Sequence, residues 1–374
     1  MRRRALLVSV LILGAAAPAA AENYRVEDVR IKMQAAGPRG LEALLIRPAG
    51  AQAYPLALIS HGTSSDATAR HDLTPYRFYP QAVAFARRGF AALVVMRRGY
   101  GDSGGSYAEG MGCCDTANRL RIGRKAAEDL RAAIAAMEHR PDISTRGMIA
   151  VGASTGGFAT VTLTADPPPG LAAAINFAGG MRGDRYNNRS AAETASDQAA
   201  LIDAFRTLGL TSRIPLLWVY AANDSFFDPA LAQRMFDGFS EAGGHGQLIK
   251  AAAFGDDGHD LFSKGTAVWQ IMVDDFLHQQ KLGLREPLAA PLPPNLPPPL
   301  QFRAKGRAAF SDYIEAGIHK AFAVSPDGRY GYSAGSRLLD DAKQGALAEC
   351  AKFAPDCVLY AVDDELSGTA TTRH

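Results

Sequence analysis

A serine flanked by glycines, Gly152-Ala153-Ser154-Thr155-Gly156, follows the apolar run Gly147-Met148-Ile149-Ala150-Val151 and leads into Phe158-Ala159-Thr160-Val161. That order predicts strand, tight turn and helix, with the hydroxyl at the apex. So sharp a turn strains the serine backbone, and glycine on either side relieves the crowding and pushes the side chain out above the sheet edge. The serine then sits at a helix N-terminus, where free backbone N–H groups can receive a developing negative charge. Such a hydroxyl is a candidate nucleophile for acyl transfer.

Alone the pentad is weak, because glycine makes up 37 of the 374 residues and the pattern arises readily by chance. A serine nucleophile, however, makes demands on the rest of the chain: an orienting acid, an imidazole base and donors for an oxyanion. The apolar run Ile214-Pro215-Leu216-Leu217-Trp218-Val219-Tyr220 reads as a buried strand, with Asp224 just beyond its C-terminal end. Functional groups collect at such ends in parallel sheets. Its rival Asp228 precedes Pro229 and suits a helix cap. The next apolar run, 247–254, is followed by Gly255-Asp256-Asp257-Gly258-His259, a flexible loop able to bring an imidazole back over the serine. His245 lies before that strand, at the opposite edge, and Asp256 and Asp257 read as plain loop acids. Upstream, the strand 55–60 ends in His61-Gly62-Thr63. The N–H of Thr155, the residue after the serine, and that of Thr63 are the expected oxyanion donors, with Gly62 allowing close approach. His61 comes too early in the order to be the base; a structural loop histidine and a pocket residue remain the two readings.

The order Ser154, Asp224, His259 is that of the α/β-hydrolase triad. With His61-Gly62-Thr63 and Arg97-Arg98-Gly99-Tyr100-Gly101-Asp102-Ser103-Gly104, the chain resembles the dienelactone-hydrolase-like group of α/β-hydrolases, which shades into prolyl-oligopeptidase-type catalytic domains. The resemblance spans about residues 25–282. It implies an α/β-hydrolase fold, with an eight-stranded, mostly parallel sheet flanked by helices, and cofactor-free hydrolysis of an ester, or of a peptide. Dienelactone hydrolases proper use a cysteine nucleophile, whereas this chain has Ser154, so their lactone substrate does not carry over. The expected pocket takes His61, Gly62, Tyr100 and Phe226, and the expected partner is a small-molecule ester. A peptidase, or a binding protein on a degenerate scaffold, are the competing readings.

Composition is that of an ordinary globular chain: 47% hydrophobic, 21% charged and a net charge of +2. The near-neutral balance leaves no electrostatic footprint for nucleic acid, and no solenoid-length repeat is visible. Arg2-Arg3-Arg4, an apolar stretch over 5–17 and Ala19-Ala20-Ala21 form a secretory signal pattern over 1–21, too short to span a bilayer. The expectation is a periplasmic or secreted protein with no membrane span in its mature chain. Of four cysteines, Cys350 and Cys357 are spaced for a disulfide, whereas neighbouring Cys113 and Cys114 are left open between thiols and remote partners. No metal-ligand spacing occurs.

Two antiparallel strands are expected over 25–33 and 41–47, then alternating strands and amphipathic helices, the helices over 79–88, 126–138, 158–165, 199–208, 229–241 and 267–279. That alternation predicts a parallel sheet covered on both faces. The catalytic domain is assigned to 22–282. A linker over 283–304 is rich in proline, including Pro293-Pro294 and Pro297-Pro298-Pro299, a composition that favours extended polyproline II. A small α+β C-terminal domain follows over 305–374, with a hairpin turning at Ser325-Pro326-Asp327-Gly328, a helix over 338–353 and a strand over 357–362. This module is expected to bind envelope material or to serve structurally, and a cut within 291–299 is expected to spare turnover.

Overall fold

The computed structural model describes residues 23–64, 66–110, 115–181 and 190–368. The expected signal segment, the Cys113-Cys114 pair and the last residues of the chain lie outside these. The large sheet contains β1 (Tyr24–Ile31), β2 (Leu41–Pro48), β3 (Tyr54–Ser60), β4 (Ala91–Val95), β5 (Ile143–Ala153), β6 (Leu171–Phe177), β7 (Leu216–Ala221) and β8 (Gly246–Ala251). Their spatial order is β1-β2-β4-β3-β5-β6-β7-β8. β1 with β2 and β2 with β4 pair antiparallel, and every other neighbouring pair is parallel.

The central strands such as β3, β4 and β6 are apolar on both sides because helices cover both faces, whereas the edge strands β1 and β8 are largely exposed or half-buried. One face of the sheet packs on α3 (Thr116–Met137), α4 (Thr155–Ala165), α5 (Ala191–Gly209) and α6 (Pro229–Glu241). The other packs on α2 (Tyr79–Arg87), which follows the short α1 (Ala67–His71), and on α7 (Leu261–Lys264) and α8 (Thr266–Gln279), with Phe85, Phe177, Phe262 and Trp269 packed together. Period-two alternation divides each strand between the two cores: Leu56 and Leu58 face one, Ala57 and Ile59 the other. Fully burying an aliphatic side chain of this size contributes roughly 1.5–3 kcal/mol.

Two helices begin earlier than the sequence predicts. α3 starts at Thr116 rather than 126 because the Asp115 carboxylate caps it, accepting from the Asn118 N–H at 2.7 Å, and because Arg119 and Ile122 are buried. α5 starts at Ala191 because Ser190 and Glu193 form a reciprocal capping box. Hydrophobic periodicity misses both starts, since polar caps rather than apolar residues set them.

The topology places the chemistry. From β3 the chain steps to β4 on one side, then returns past β3 to β5 on the other. Strand order therefore reverses between β3 and β5, and the crevice outside their C-terminal ends is where open α/β sheets bind ligands. Ser60 pairs in register with Gly152, so the loops carrying Thr63 and Ser154 leave the sheet side by side.

Residues 286–299 contain no regular secondary structure. Beyond them α9 (Ala304–Glu315), β9 (Ala321–Val324), β10 (Tyr330–Ser333), α10 (Leu339–Ala351), β11 (Val358–Val362) and β12 (Glu365–Leu366) form a separate four-stranded antiparallel sheet with helices. Phe322 and Val324 pack on Phe302, Phe310 and Tyr313, and Ala321 and Ala323 on Ala342, Ala346 and Cys350. α9 is a helix that the sequence reading does not anticipate. A disulfide joins Cys350 to Cys357, with Cα atoms 6.0 Å apart, and ties the end of α10 to β11. Among the described residues no helix is long and apolar enough to cross a membrane.

Candidate active site

Ser154 stands at the tip of the β5–α4 turn with φ 55° and ψ −125°, a left-handed conformation that costs a non-glycine residue about 1–3 kcal/mol. Its surroundings hold it there. Its N–H donates to Phe177 O at 3.0 Å, and its carbonyl accepts from Gly180 and Phe158 N–H, each at 3.1 Å. The flanking glycines are sterically required. A Cβ at Gly152 would lie 2.1 Å from Gly156 O, and one at Gly156 would lie 2.3 Å from both Ser60 O and His61 O. Across the crevice Gly62 presents its Cα to the serine, and a Cβ there would come within 3.1 Å of Ser154 Cβ. Thr155 opens α4, so its N–H is one of the four with no intrahelical carbonyl to bond.

Asp224 and His259 meet at the C-terminal ends of β7 and β8. The Asp224 side chain is fully buried, and its Oδ1 and Oδ2 lie 3.2 and 3.1 Å from His259 Nδ1. Oδ1 also accepts from the Phe226 and Phe227 N–H groups at 2.8 and 2.9 Å. An ionised carboxylate only accepts, so Nδ1 carries the imidazole proton and Nε2 keeps its lone pair. Phe226 lies against the imidazole, with centroids 4.2 Å apart, which fixes the plane of the ring. Asp228 instead caps α6, accepting from Ala230 and Leu231 N–H. His245 sits at the far edge, where its carbonyl accepts from Leu216 N–H at the start of β7. Among the described residues no hydrogen bond joins Ser154 Oγ to the His259 ring.

Two residues that read as unremarkable in sequence join the Asp224 and His259 loops. Asp257 accepts from Ser225 Oγ at 2.5 Å, Ser225 N–H at 3.1 Å and His259 N–H at 3.0 Å. Asn223 binds across to Phe254 N–H at 2.8 Å and to the carbonyls of Phe254 and Gly255 at 3.2 and 3.1 Å. The expectation that Asp257 is a plain loop acid is corrected: it caps the turn that carries the imidazole.

His61 and Tyr100, expected to line the pocket, have no exposed surface, and this too is a correction. His61 Nε2 accepts from Arg97 N–H at 3.1 Å, which leaves Nδ1 to donate to Gly62 O at 2.6 Å. Both ring nitrogens are thus committed. Burial, then the Arg97 charge, hold its pKa well below 6.5, so the ring is a neutral strut beneath the Gly62–Thr63 loop. Tyr100 donates from its hydroxyl to Glu109 Oε2 at 2.8 Å and accepts from Thr63 Oγ1; burial, then the Glu109 charge, keep the phenol protonated. Thr63 itself is exposed.

Behind both loops lies Arg97, fully buried and paired with Glu109 through two guanidinium nitrogens. Nη1 donates to Ser60 Oγ at 2.8 Å and His61 O at 2.6 Å, while Nη2 reaches Thr155 Oγ1 at 3.3 Å. One cation therefore ties Thr155, one expected oxyanion donor, to the strand end that leads to Thr63, the other. Arginine suits the task because its donors form a rigid planar fork. In the sequence Arg97 stands out only as part of a motif, and its position two residues beyond the apolar strand β4 was the available signal, since a charge buried there needs a partner.

The neutral His61 gives a pH prediction. A histidine whose folded pKa is depressed stabilises the fold fully above its unfolded value of about 6.5, and that stability drains away as pH falls toward the folded value. Urea unfolding from pH 8 to pH 5 should show wild type losing stability relative to His61→Gln, which lacks the titrating ring. Parallel curves would contradict a buried neutral imidazole.

Among the described residues no group of three or more histidine, cysteine or acidic side chains is arranged to hold a metal ion. Solved structures with similar backbones include an esterase of Pyrococcus furiosus (TM-score 0.48, 15% identity, 68% of this chain and 90% of that one). A protein described as a dienelactone hydrolase from Klebsiella pneumoniae matches with TM-score 0.45 at 14% identity, over 68% of this chain and 98% of that one. An acylaminoacyl peptidase of Pyrococcus horikoshii matches with TM-score 0.49 at 13% identity, over 72% and 43%. No curated protein matches the sequence. Residues 38–246 match the X-Pro dipeptidyl-peptidase (S15) family, a span of more than half the chain that runs from β2 through the serine turn into β8. A serine hydrolase family, the α/β order of strands and the strained serine agree with one another: the chain belongs to the X-Pro dipeptidyl-peptidase (S15) family of α/β-hydrolases.

Proposed function

We propose that the protein is an extracytoplasmic serine hydrolase that cleaves carboxylic esters or lactones through an acyl-enzyme on Ser154, His259 and Asp224. The observation that carries the reading is the pairing of a strained, half-buried serine at a helix N-terminus with a buried aspartate that fixes the tautomer of His259. Ser154 Oγ attacks the carbonyl carbon as its proton passes to His259 Nε2. Bound substrate draws the hydroxyl and the ring together, since catalytic hydrogen bonds commonly tighten only in the reacting complex. The N–H groups of Thr155 and Thr63 receive the oxyanion, and each such donor is worth roughly 3–4 kcal/mol of transition-state stabilisation. His259 then protonates the departing alkoxide oxygen, and the same imidazole activates the water that frees the acid. The disulfide Cys350–Cys357 supports an oxidising compartment, in keeping with the secretory pattern at the N-terminus.

The family match favours a second reading, dipeptidyl peptidase. An enzyme of that kind must hold a peptide's terminal ammonium, and among the described residues the carboxylates that hydrogen-bond within this site are already engaged: Asp224 by His259, Asp257 by Ser225, and Glu109 by Arg97. This supports the ester assignment. The test is to offer purified mature protein p-nitrophenyl acetate and butyrate, an Xaa-Pro p-nitroanilide and a fluorophosphonate probe. Ester turnover with labelling is expected. Efficient release from the Xaa-Pro substrate would transfer the assignment to peptidase, and an unlabelled, inactive protein would overturn the chemistry altogether.

A further inference from the structure

Arg337 lies between β10 and α10 of the C-terminal module, and its guanidinium reaches into the large domain. Nε donates to Glu42 Oε1 at 2.6 Å and Nη2 to Glu42 Oε2 at 2.8 Å, a forked pair, and Nη2 also donates to Leu73 O at 3.0 Å. Glu42, on β2, has little exposed surface. Its Oε2 accepts from Asp102 N–H at 2.8 Å, and its own N–H donates to Ser103 Oγ at 2.8 Å. Thr74 Oγ1 donates to Gly335 O. At the centre of these contacts, a Cβ on Gly101 would lie 2.6 Å from Glu42 Oε2 and Leu73 O, and 2.8 Å from Arg337 Nη2. Module, strand and turn meet there without spare room.

The two segments that Arg337 joins also hold Thr63. Tyr100, next to Gly101, accepts from Thr63 Oγ1. Gly101 N–H donates to Arg70 O at 2.9 Å, and Arg70 Nη1 donates to Ser64 O at 2.8 Å. The Thr63 peptide is thus gripped through its side chain and through the next residue, by segments 100–103 and 70–74. We propose that Arg337 is a positioning residue, through which the C-terminal module braces the oxyanion loop in place. The proposal rests on Thr63 as an oxyanion donor, and it revises the sequence expectation that the tail is a bystander to turnover. A brace of this kind acts where catalysis is most sensitive, because preorganised donors lose their effect when they shift by fractions of an ångström.

The test uses the full-length protein, with active sites counted by fluorophosphonate titration and ester kinetics measured per titrated site. Arg337→Gln should lower kcat about tenfold with KM within about twofold, the size expected for coupling through a packed network. Arg337→Lys, which keeps the charge without the fork, should fall by only about threefold, and it carries the test if the glutamine variant does not fold. Tyr100→Phe cuts one arm of the grip, so adding Arg337→Gln to it should lower kcat by less than about threefold more. An Arg337→Gln enzyme with reduced Tm but unchanged kcat per site would make the contact purely structural and overturn the proposal. So would a full tenfold loss added to Tyr100→Phe. Wild type that takes no label refutes the hydrolase reading itself, whereas labelled wild type with an unimpaired variant refutes only the brace.

Discussion

Ser154→Ala is expected to reduce kcat on p-nitrophenyl butyrate by roughly 10⁶-fold, the loss seen when a nucleophile is removed from a cooperating serine, histidine and aspartate. The remaining rate, roughly 10³–10⁴ above water, would come from Thr155, Thr63 and substrate binding. Stability provides the control. The Ser154 side chain makes no hydrogen bond to another described residue, so removing the hydroxyl leaves no buried partner unsatisfied, and Tm should stay within error of wild type. Ser154→Gly should be equally inactive yet more stable than Ser154→Ala, because glycine takes φ 55° without the Cβ penalty, worth about 1 kcal/mol. Thermal melts of the two variants alongside fluorophosphonate labelling would check both halves. An alanine variant that retained more than about a thousandth of wild-type turnover would remove Ser154 from the chemistry.

The parts of this site legible in the sequence are those fixed by local rules. A tight strand-to-helix turn needs glycine, so Gly152 and Gly156 announce Ser154. Apolar runs mark β7 and β8, and the residues beyond their ends, Asp224 and His259, follow from the direction of a parallel sheet. The separation of Asp224 from Asp228 was legible too, because Pro229 marks the first turn of a helix and leaves Asp228 as its cap. What was not legible depends on contacts between loops. Arg97 meets Glu109 across an irregular segment in which no periodicity dictates the direction of either side chain. Whether His61 was strut or pocket residue turned on an Arg97 backbone N–H that reaches its ring. Arg337 finds Glu42 across almost the whole chain. A proline-rich segment reads as a spacer, and spacers suggest independence. Here the segment instead begins on the large domain, with Leu288 N–H on Arg87 O at 2.7 Å and Tyr24 donating to Ala289 O at 3.1 Å, and ends on the module, where Leu296 packs against the core and Tyr360 donates to Pro297 O at 2.8 Å.

Asp224→Asn should lower kcat by roughly 10⁴-fold while leaving the loop in place. Asparagine can still accept the Phe226 and Phe227 N–H groups through its oxygen, as Asp224 Oδ1 does now. That orientation turns the amide NH2 toward His259 Nδ1. A donor facing Nδ1 forces that nitrogen to accept, so the proton moves to Nε2, the atom that must take the serine proton. The imidazole then donates toward Ser154 and no longer activates it. Asp224→Ala would also remove the acceptor for the two N–H groups, so it mixes a folding defect with the catalytic one and discriminates less well. Asp228→Asn is the matched control: asparagine caps a helix as well as aspartate does, and both kcat and Tm should hold. Asp228→Ala should cost about 1 kcal/mol of stability with kcat unchanged. If Asp224→Asn stays within about tenfold of wild type while Asp228→Asn collapses, the acid that orients His259 has been misassigned. The wrong tautomer affects more than turnover: labelling of Ser154 by fluorophosphonate should slow in parallel with ester hydrolysis, because both need the same proton acceptor at Nε2.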